Sequence, residues 1–356
     1  MSIIQPNFLA SAASVFGTVW PYVVAVLLFL MMIIIHEFGH FIFAKMLGVR
    51  VNEFSVGFGP TLFKHQGKET LYSVRLIPFG GYCAMEGEDE SSNDSRAFCN
   101  KAAWRRFLIV AAGAIFNIIF GFVLVLIYFA PAGAIATNTV ASFSKDATSV
   151  NYGLKEGDEI LAVDGRRCLT ANEIAYAFSA VKDNKIDLTV KRNGEKQLLK
   201  NVEFKLTEQD GIRYLTRDFD FYYAKNNFKT YITQSFKYTV SFGRTVWFSL
   251  VDLIGGRYSL NQVSGPVGVA SALGQATKIG LDSLLPMLCL ITINLGIFNL
   301  LPIPALDGGR LVFLLFEMIA RKPVPQKYEA IVHGVGFIIL MGFVALVTLK
   351  DIIGFF

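Results

Sequence analysis

Histidine is scarce in this chain. Four occur among 356 residues, and two of them, His36 and His40, fall inside one of its most apolar stretches. Cysteine is as sparse and is scattered: Cys83, Cys99, Cys168 and Cys289 form no CxxC pair. That spacing excludes a cysteine-built zinc module and gives no disulfide framework. No lysine or arginine precedes Trp20, so the first apolar run lacks the basic flank of a cleaved secretory signal. It is also longer than the ~7–15 residues of such a signal's apolar region. No basic–aromatic recognition pattern is present, and the net charge of +5 reads as topology and solvated surface. Nucleic acid is therefore not an expected partner.

Charge is missing from four long runs: Trp20 to Ala44, Phe107 to Ser144, Ser283 to Leu306 and Ala330 to Leu349, with Glu37 the one exception. Each can cross a hydrocarbon core that needs roughly 20 apolar residues. With 53% of the residues apolar, the composition predicts a polytopic α-helical membrane protein with a modest soluble insert. Lys45, Arg50, Lys64, Lys68, Arg75, Arg96, Lys101, Arg105 and Arg106 lie between the first two runs, and Arg310, Arg321, Lys322 and Lys327 between the last two. Both connections are expected to be cytoplasmic, with the termini and the long segment 133–280 outside.

The stretch "IIIHEFGHFIF", residues 33–43, carries the chemistry. A helix puts His36 and His40 on one face, one turn apart, where two imidazoles can bind one zinc ion. Glu37 follows the first of them and is placed to act as a general base on a metal-activated water. A charge at membrane depth is costly unless it is paired or functional. A catalytic zinc takes three protein ligands, and two candidates exist for the third. Glu53 lies in the basic loop that follows. Asp307 ends the run "NLLPIPALDGGR", where Pro302 and Pro304 interrupt the helix. His36 lies 16 residues past Trp20 and Asn299 lies 17 past Asp282. The two runs therefore bring these groups to similar depth, and the broken path can hold Asp307 near the histidines.

"HEFGH" together with "NLLPIPALDGGR" resembles the site-2 protease family of intramembrane zinc metalloproteases. "VGFGP" at 56–60, "IPFGGYCAM" at 77–85 and "SGPVGVA" at 264–270 resemble its bacterial RseP-like branch. The resemblance implies zinc held by His36, His40 and Asp307, with Glu37 as catalytic base. It also implies that Asn299 and Asn294 contact the substrate backbone, where interhelical hydrogen bonding is the other reading.

Tyr152 to Cys168, "YGLKEGDEILAVDGRRC", resembles the PDZ signature. A second tight turn is expected at Asn193-Gly194, and "NEIAYAFSAV" has helical spacing. One extracytoplasmic PDZ domain fits, a β-rich α+β unit that either grips peptide by strand addition or only excludes bulky substrates. Residues 226–262 place Phe228, Ile232, Phe236, Thr239, Phe242, Val246 and Leu250 near one stripe. They predict an amphipathic helix or helix pair at the membrane surface, serving as gate or platform.

Residues 49–85 alternate around Gln66-Gly67 and predict a membrane-dipping β-hairpin or small sheet. In it Tyr72, Val74 and Leu76 are candidates for pairing with an unwound substrate. Residues 86–100 are polar and read as a mobile turn.

The expected organisation is a first span with HExxH (1–48), the β region (49–103), a second span (104–133), the PDZ domain (134–208), interfacial helices (209–280), a third span (281–320) and a fourth (321–356). The expected activity is zinc-dependent cleavage of transmembrane segments in single-span proteins, such as anti-sigma-factor-like proteins or signal-peptide remnants. The setting is the lipid bilayer of a bacterial inner membrane, with the active site near the cytoplasmic side. The alternative is a non-enzymatic scaffold with a structural metal and a peptide-binding PDZ domain. A transporter would be expected to carry an inverted repeat, and none is evident.

Overall fold

The computed structural model describes residues 6–354 other than 89, 182, 210, 211 and 258–262. The chain divides into two compact units. One combines the residues up to 121 with those from 263 onward, and the other is 122–262.

In the first unit, α1 (Pro6–Met46) carries the HEFGH run. It ends because Gly48 takes a left-handed conformation (φ +74°). The amide of Val49 then donates to the Ala44 carbonyl at 2.8 Å, closing the last turn with an apolar residue packed beneath it. The other helices of this unit are α2 (Ala103–Phe129, continuing into the second unit), and further along the chain α5 (Pro266–Ile279), α6 (Leu281–Leu300), α7 (Asp307–Ala320) and α8 (Gln326–Ile353); α3 and α4 belong to the second unit. Among the described residues four segments, 19–46, 103–129, 281–300 and 327–353, are long and apolar enough to cross a bilayer. The shortest, at 20 residues, still rises about 30 Å at 1.5 Å per residue. α8 leaves most of its apolar side chains exposed, including Val335, Phe337, Ile338 and Leu346, a surface that hydrocarbon tolerates and water does not.

Between α1 and α2, strands β1 (Val51–Gln66) and β2 (Leu71–Met85) form an antiparallel hairpin in which both strands bend. Left-handed glycines allow the bends. Gly57 (φ +83°) has the Ile77 carbonyl 2.6 Å from where a Cβ would be, and Gly80 (φ +96°) has the Phe58 ring there. The hairpin therefore folds over itself. Residues 53–56 have partners on 81–84 and also on 71–74, while 71–75 pair in addition with 61–66. The described residues of the segment 86–100, expected to be mobile, are instead tied down. Asn100 Nδ2 donates to the Ser92 and Asp94 carbonyls, both at 2.8 Å, and Ala97 and Phe98 are buried.

α5 begins without a side-chain cap of its own. The amides of Gly265 and Gly268 donate instead to Asp351 Oδ2 on α8, both at 2.8 Å. A Cβ on either glycine would lie 2.9 Å from that oxygen, which accounts for the glycines of "SGPVGVA".

In the second unit, a sheet runs in the order β10–β3–β4–β6–β7, with β5 on β4. The strands are β3 (Ala134–Phe143), β4 (Glu159–Val163), β5 (Arg166–Arg167), β6 (Lys185–Arg192), β7 (Glu195–Glu203) and β10 (Phe219–Lys225); β8 (Lys205–Gln209) and β9 (Ile212–Thr216) make a separate hairpin. Asp164-Gly165 and Asn193-Gly194 both have positive φ at each residue, as two-residue hairpin turns demand. The helix α3 (Ala171–Ser179) follows Thr170, whose hydroxyl accepts from the Glu173 amide. Leu215, Phe219 and Phe221 share one core with Leu154, Ile160, Leu188 and Phe204. The module therefore extends past residue 208 to 225, because β10 returns to pair with β3.

α4 (Phe228–Ile254) is a single helix capped by Asn227. Its buried residues are Ser235, Tyr238, Thr239, Ser241, Val246 and Asp252, while Phe228, Phe236, Trp247 and Ile254 are exposed. The stripe read from the sequence therefore divides: Phe228, Ile232 and Phe236 face outward, while Thr239 and Val246 are buried. The inward face is polar because α3 and its flanks offer polar partners. Arg166 binds Asp252 through two bonds of 2.6 and 2.7 Å, Tyr176 adds a third at 2.9 Å, Arg244 binds Glu173 at 2.8 Å, and Thr170 meets Ser241 at 2.7 Å.

Candidate metal centre

The centre forms where three helices approach to backbone distance. A Cβ on Gly39 of α1 would lie 2.5 Å from the Ala112 carbonyl oxygen of α2. One on Gly113 would lie 2.3 Å from His40 Nε2, and one on Gly296 of α6 would lie 2.8 Å from the Ala114 carbonyl oxygen. Small residues let membrane helices pack closely; here they also leave room for two imidazoles.

His36 and His40 are both buried. His40 Nδ1 lies 2.9 Å from the Ile109 carbonyl oxygen. A carbonyl only accepts, so Nδ1 carries the proton and Nε2 keeps its lone pair.

Asp307, the first residue of α7, arrives through the break at 301–306. Pro302 and Pro304 supply no amide hydrogen there, Ala305 sits at φ +74°, and its amide donates to His333 Nδ1 at 3.1 Å. A Cβ on Gly308 would fall 1.8 Å from the Leu301 carbonyl oxygen, so this tight return admits no side chain there.

Asp307 Oδ2 lies 3.1 Å from His36 Nε2 and 3.4 Å from His40 Nε2. The two Nε2 atoms are 3.2 Å apart. Ligands bonded to a tetrahedral ion at about 2.0–2.1 Å stand about 3.3–3.4 Å from one another, so the triangle fits such an ion. Asp307 Oδ2 is buried without a hydrogen-bond partner, as an oxygen reserved for a cation should be. Among the described residues, His36, His40 and Asp307 are the one group of three or more His, Cys, Asp or Glu able to share a metal.

Glu53 is elsewhere. Its Oε1 accepts from Ser73 at 2.6 Å and Arg75 at 2.8 Å. Partial burial raises its pKa, but these hydrogen bonds outweigh that and hold the carboxyl below its ordinary range. Glu37 is half-buried on α1, and Gly81 of β2 faces it: a Cβ there would lie 3.5 Å from Glu37 Cγ. Asn294 has a buried Oδ1 without a partner, and Asn299 is half-buried. Neither joins the histidine–aspartate cluster.

Tyr72 and Val74 require a correction, whereas Leu76 lies just past the doubly paired stretch. Their side chains are exposed, but the main chain of 71–75 is paired on both sides, by 53–56 and by 61–66. The stretch 53–56 is likewise enclosed. The bends at Gly57 and Gly80 turn what reads as an edge into an interior strand. Among the described residues the outer edges of this sheet are 61–66 and 81–85, and the latter passes Glu37.

Sequence reasoning missed Asn117. It is fully buried, and its Nδ2 lies 3.3 Å from His36 Nδ1. The available signal was that it is the only amide or charge in the run from Phe107 to Phe129. Beside Asp307 a cavity of about 1030 Å³ opens, lined in part by Glu88, Arg310, Glu317, Glu329 and His333.

Comparison with known proteins gives one consistent answer. The model of peptidase family M50 matches residues 24–343. A candidate zinc metalloprotease of Clostridium perfringens is 39% identical over 337 residues, covering 92% of this chain and 97% of that protein. One from Clostridium acetobutylicum is 37% identical over 349 residues (93% and 97%). One from Fusobacterium nucleatum is 32% identical over 338 residues (93% and 98%).

Proposed function

The chain belongs to peptidase family M50 and is a zinc metalloprotease of the membrane, and we propose that it cuts transmembrane segments within the bilayer. The observation that carries this reading is the triangle of His36, His40 and Asp307, spaced for a tetrahedral ion, with both histidines on a helix able to span a membrane. Three protein donors leave one coordination position open, the mark of a catalytic zinc; a scaffold's structural zinc would take four. Bound zinc supplies Lewis acidity to a scissile carbonyl and to water. Glu37 accepts the proton of the attacking water on a carboxylate oxygen. It delivers that proton to the amide nitrogen as the C–N bond breaks. The cavity beside Asp307, lined in part by Glu88, Arg310 and Glu317, is the natural route for water.

A transmembrane helix has its amides already bonded and closed to attack, so the substrate must be unwound. We assign its extended stretch to the open edge 81–85 of the hairpin, which runs beside Glu37, with Asn294 and Asn299 meeting its backbone. The exposed apolar residues Phe58, Leu62, Phe63, Val74 and Leu76 suit a hairpin dipped into lipid.

The second unit reads as an extracytoplasmic PDZ-like domain that excludes bulky substrates. β3 is already paired by β10, and the partners on α3 are already taken by α4, which leaves little for an added peptide. The exposed apolar face of α4 suits the membrane surface. Clients would be single-span proteins, anti-sigma-factor-like or signal-peptide remnants, in a bacterial cell membrane with the active site toward the cytoplasm.

The test uses purified enzyme with a single-span substrate. Glu37→Gln is expected to retain zinc and abolish cleavage; unchanged turnover would refute the mechanism. Proline scanned through 81–85 is expected to lower cleavage at every second position at constant zinc content, since proline deletes one strand hydrogen bond. A flat scan would remove the edge from the proposal.

A further inference from the structure

Two ring nitrogens face the metal point, and two others face away from it. His40 Nδ1 is settled by a backbone carbonyl, that of Ile109. His36 Nδ1 faces only a side chain, Asn117, on the same helix α2. The Asn117 amide points its nitrogen at His36 and leaves its Oδ1 buried with no partner. Amide oxygen and nitrogen are interchangeable by a half-turn, so the hydrogen-bond network must decide between them.

The two orientations differ chemically. With Nδ2 toward the ring, Asn117 donates and His36 Nδ1 accepts. The proton of a neutral imidazole must then sit on Nε2, 3.2 Å from His40 Nε2 and 3.1 Å from Asp307 Oδ2, on the atom that has to hold the metal. With Oδ1 toward the ring, Nδ1–H donates to Asn117, the buried oxygen gains its partner, and Nε2 keeps its lone pair. A single half-turn resolves both faults.

We propose that Asn117 is the positioning residue of His36, with Oδ1 accepting the Nδ1 proton and so fixing both tautomer and ring orientation for the metal. This rests on the metal reading above. It makes α2, which contributes no ligand, the support of both histidines, through Ile109 for one and Asn117 for the other. Partners of this kind raise metal affinity about 10–100-fold.

The test measures zinc retention in the purified full-length protein against a graded chelator, together with the visible absorption of the cobalt-substituted form. Asn117→Leu keeps the volume and removes the acceptor. It is expected to weaken metal binding about 10–100-fold and to change the cobalt spectrum. Asn117→Asp restores an acceptor and is expected to hold metal at least as well as the parent. His36→Ala is the control and should lose the metal. Parental retention in Asn117→Leu, or equal weakening in Asn117→Leu and Asn117→Asp, overturns the assignment while leaving the metal site standing. Retention in His36→Ala overturns the metal reading instead. If Asn117→Leu proves unfolded by its helix content, Asn117→Ala takes its place in the same comparison.

Discussion

Asp307 of the first unit and the buried acids of the second are treated differently. In the second unit each faces arginine. Asp158 is bound by Arg192, Glu173 by Arg244, and Asp252 by Arg166 and Arg257. For Asp252, burial pushes the carboxyl upward, but Arg166 and Tyr176 prevail and hold it low; for Glu173, burial prevails and its carboxyl is raised. In the first unit, the ion pairs of Asp307 are with two imidazoles, one of them fixed by Ile109 with its lone pair toward the carboxylate. Acids that serve the fold are answered from within the chain. The acid proposed as a metal ligand faces two imidazoles that could share a cation with it.

Removing each kind of acid should break different things. Asp307→Ala is expected to strip zinc and abolish cleavage with helix content unchanged, whereas Glu53→Ala should keep its zinc; metal analysis of the two purified variants checks this. Asp252→Ala should keep zinc but leave the half-buried Arg166 without its carboxylate, costing about 2–3 kcal/mol, below the full buried-pair penalty. The readout is the labelling rate of Cys168, a buried thiol whose pKa burial raises to about 12, which should rise as the unit opens more often. Replacing both partners, Arg166→Met with Asp252→Leu, should recover much of that loss, because an apolar pair avoids desolvating two charges.

The smallest effect belongs to a more exposed acid. Hydrogen bonds from Arg96 and then Lys45 lower Glu69 to about 2, from an ordinary 4.5. A depressed folded-state pKa contributes stability that is present above about 4.5 and lost as pH falls toward about 2. The protection factors of the 67–70 amides should therefore fall across that window in the parent protein, and Glu69→Gln should flatten the change.

The helices and most of the centre were legible in the residues. Charge-free runs announce spans because bilayer thickness sets their length, and HEFGH is readable because four residues make about one helical turn. The arrival of Asp307 was half legible, since Pro302 and Pro304 mark the break but not where the chain returns. Three features lay beyond local reading. Which strand of the hairpin is an edge depends on how far the bends at Gly57 and Gly80 fold it. The end of the sheet module at 225 depends on β10 finding β3 some 80 residues back (Phe221 on Val140). Asn117 in isolation is one amide in an apolar helix, and its meaning comes only from the ring across from it.

The cap of α5 also sets a timetable. The carboxylate that accepts from Gly265 and Gly268 belongs to Asp351, translated 83 residues after the second of them. While the ribosome is still making α6 and α7, the first turn of α5 lacks the acceptor it will finally have. The finishing of that turn is therefore a late event in biogenesis, coupled to the arrival of α8. A chain released before Asp351 would carry every proposed ligand of the metal and still leave α5 incompletely capped.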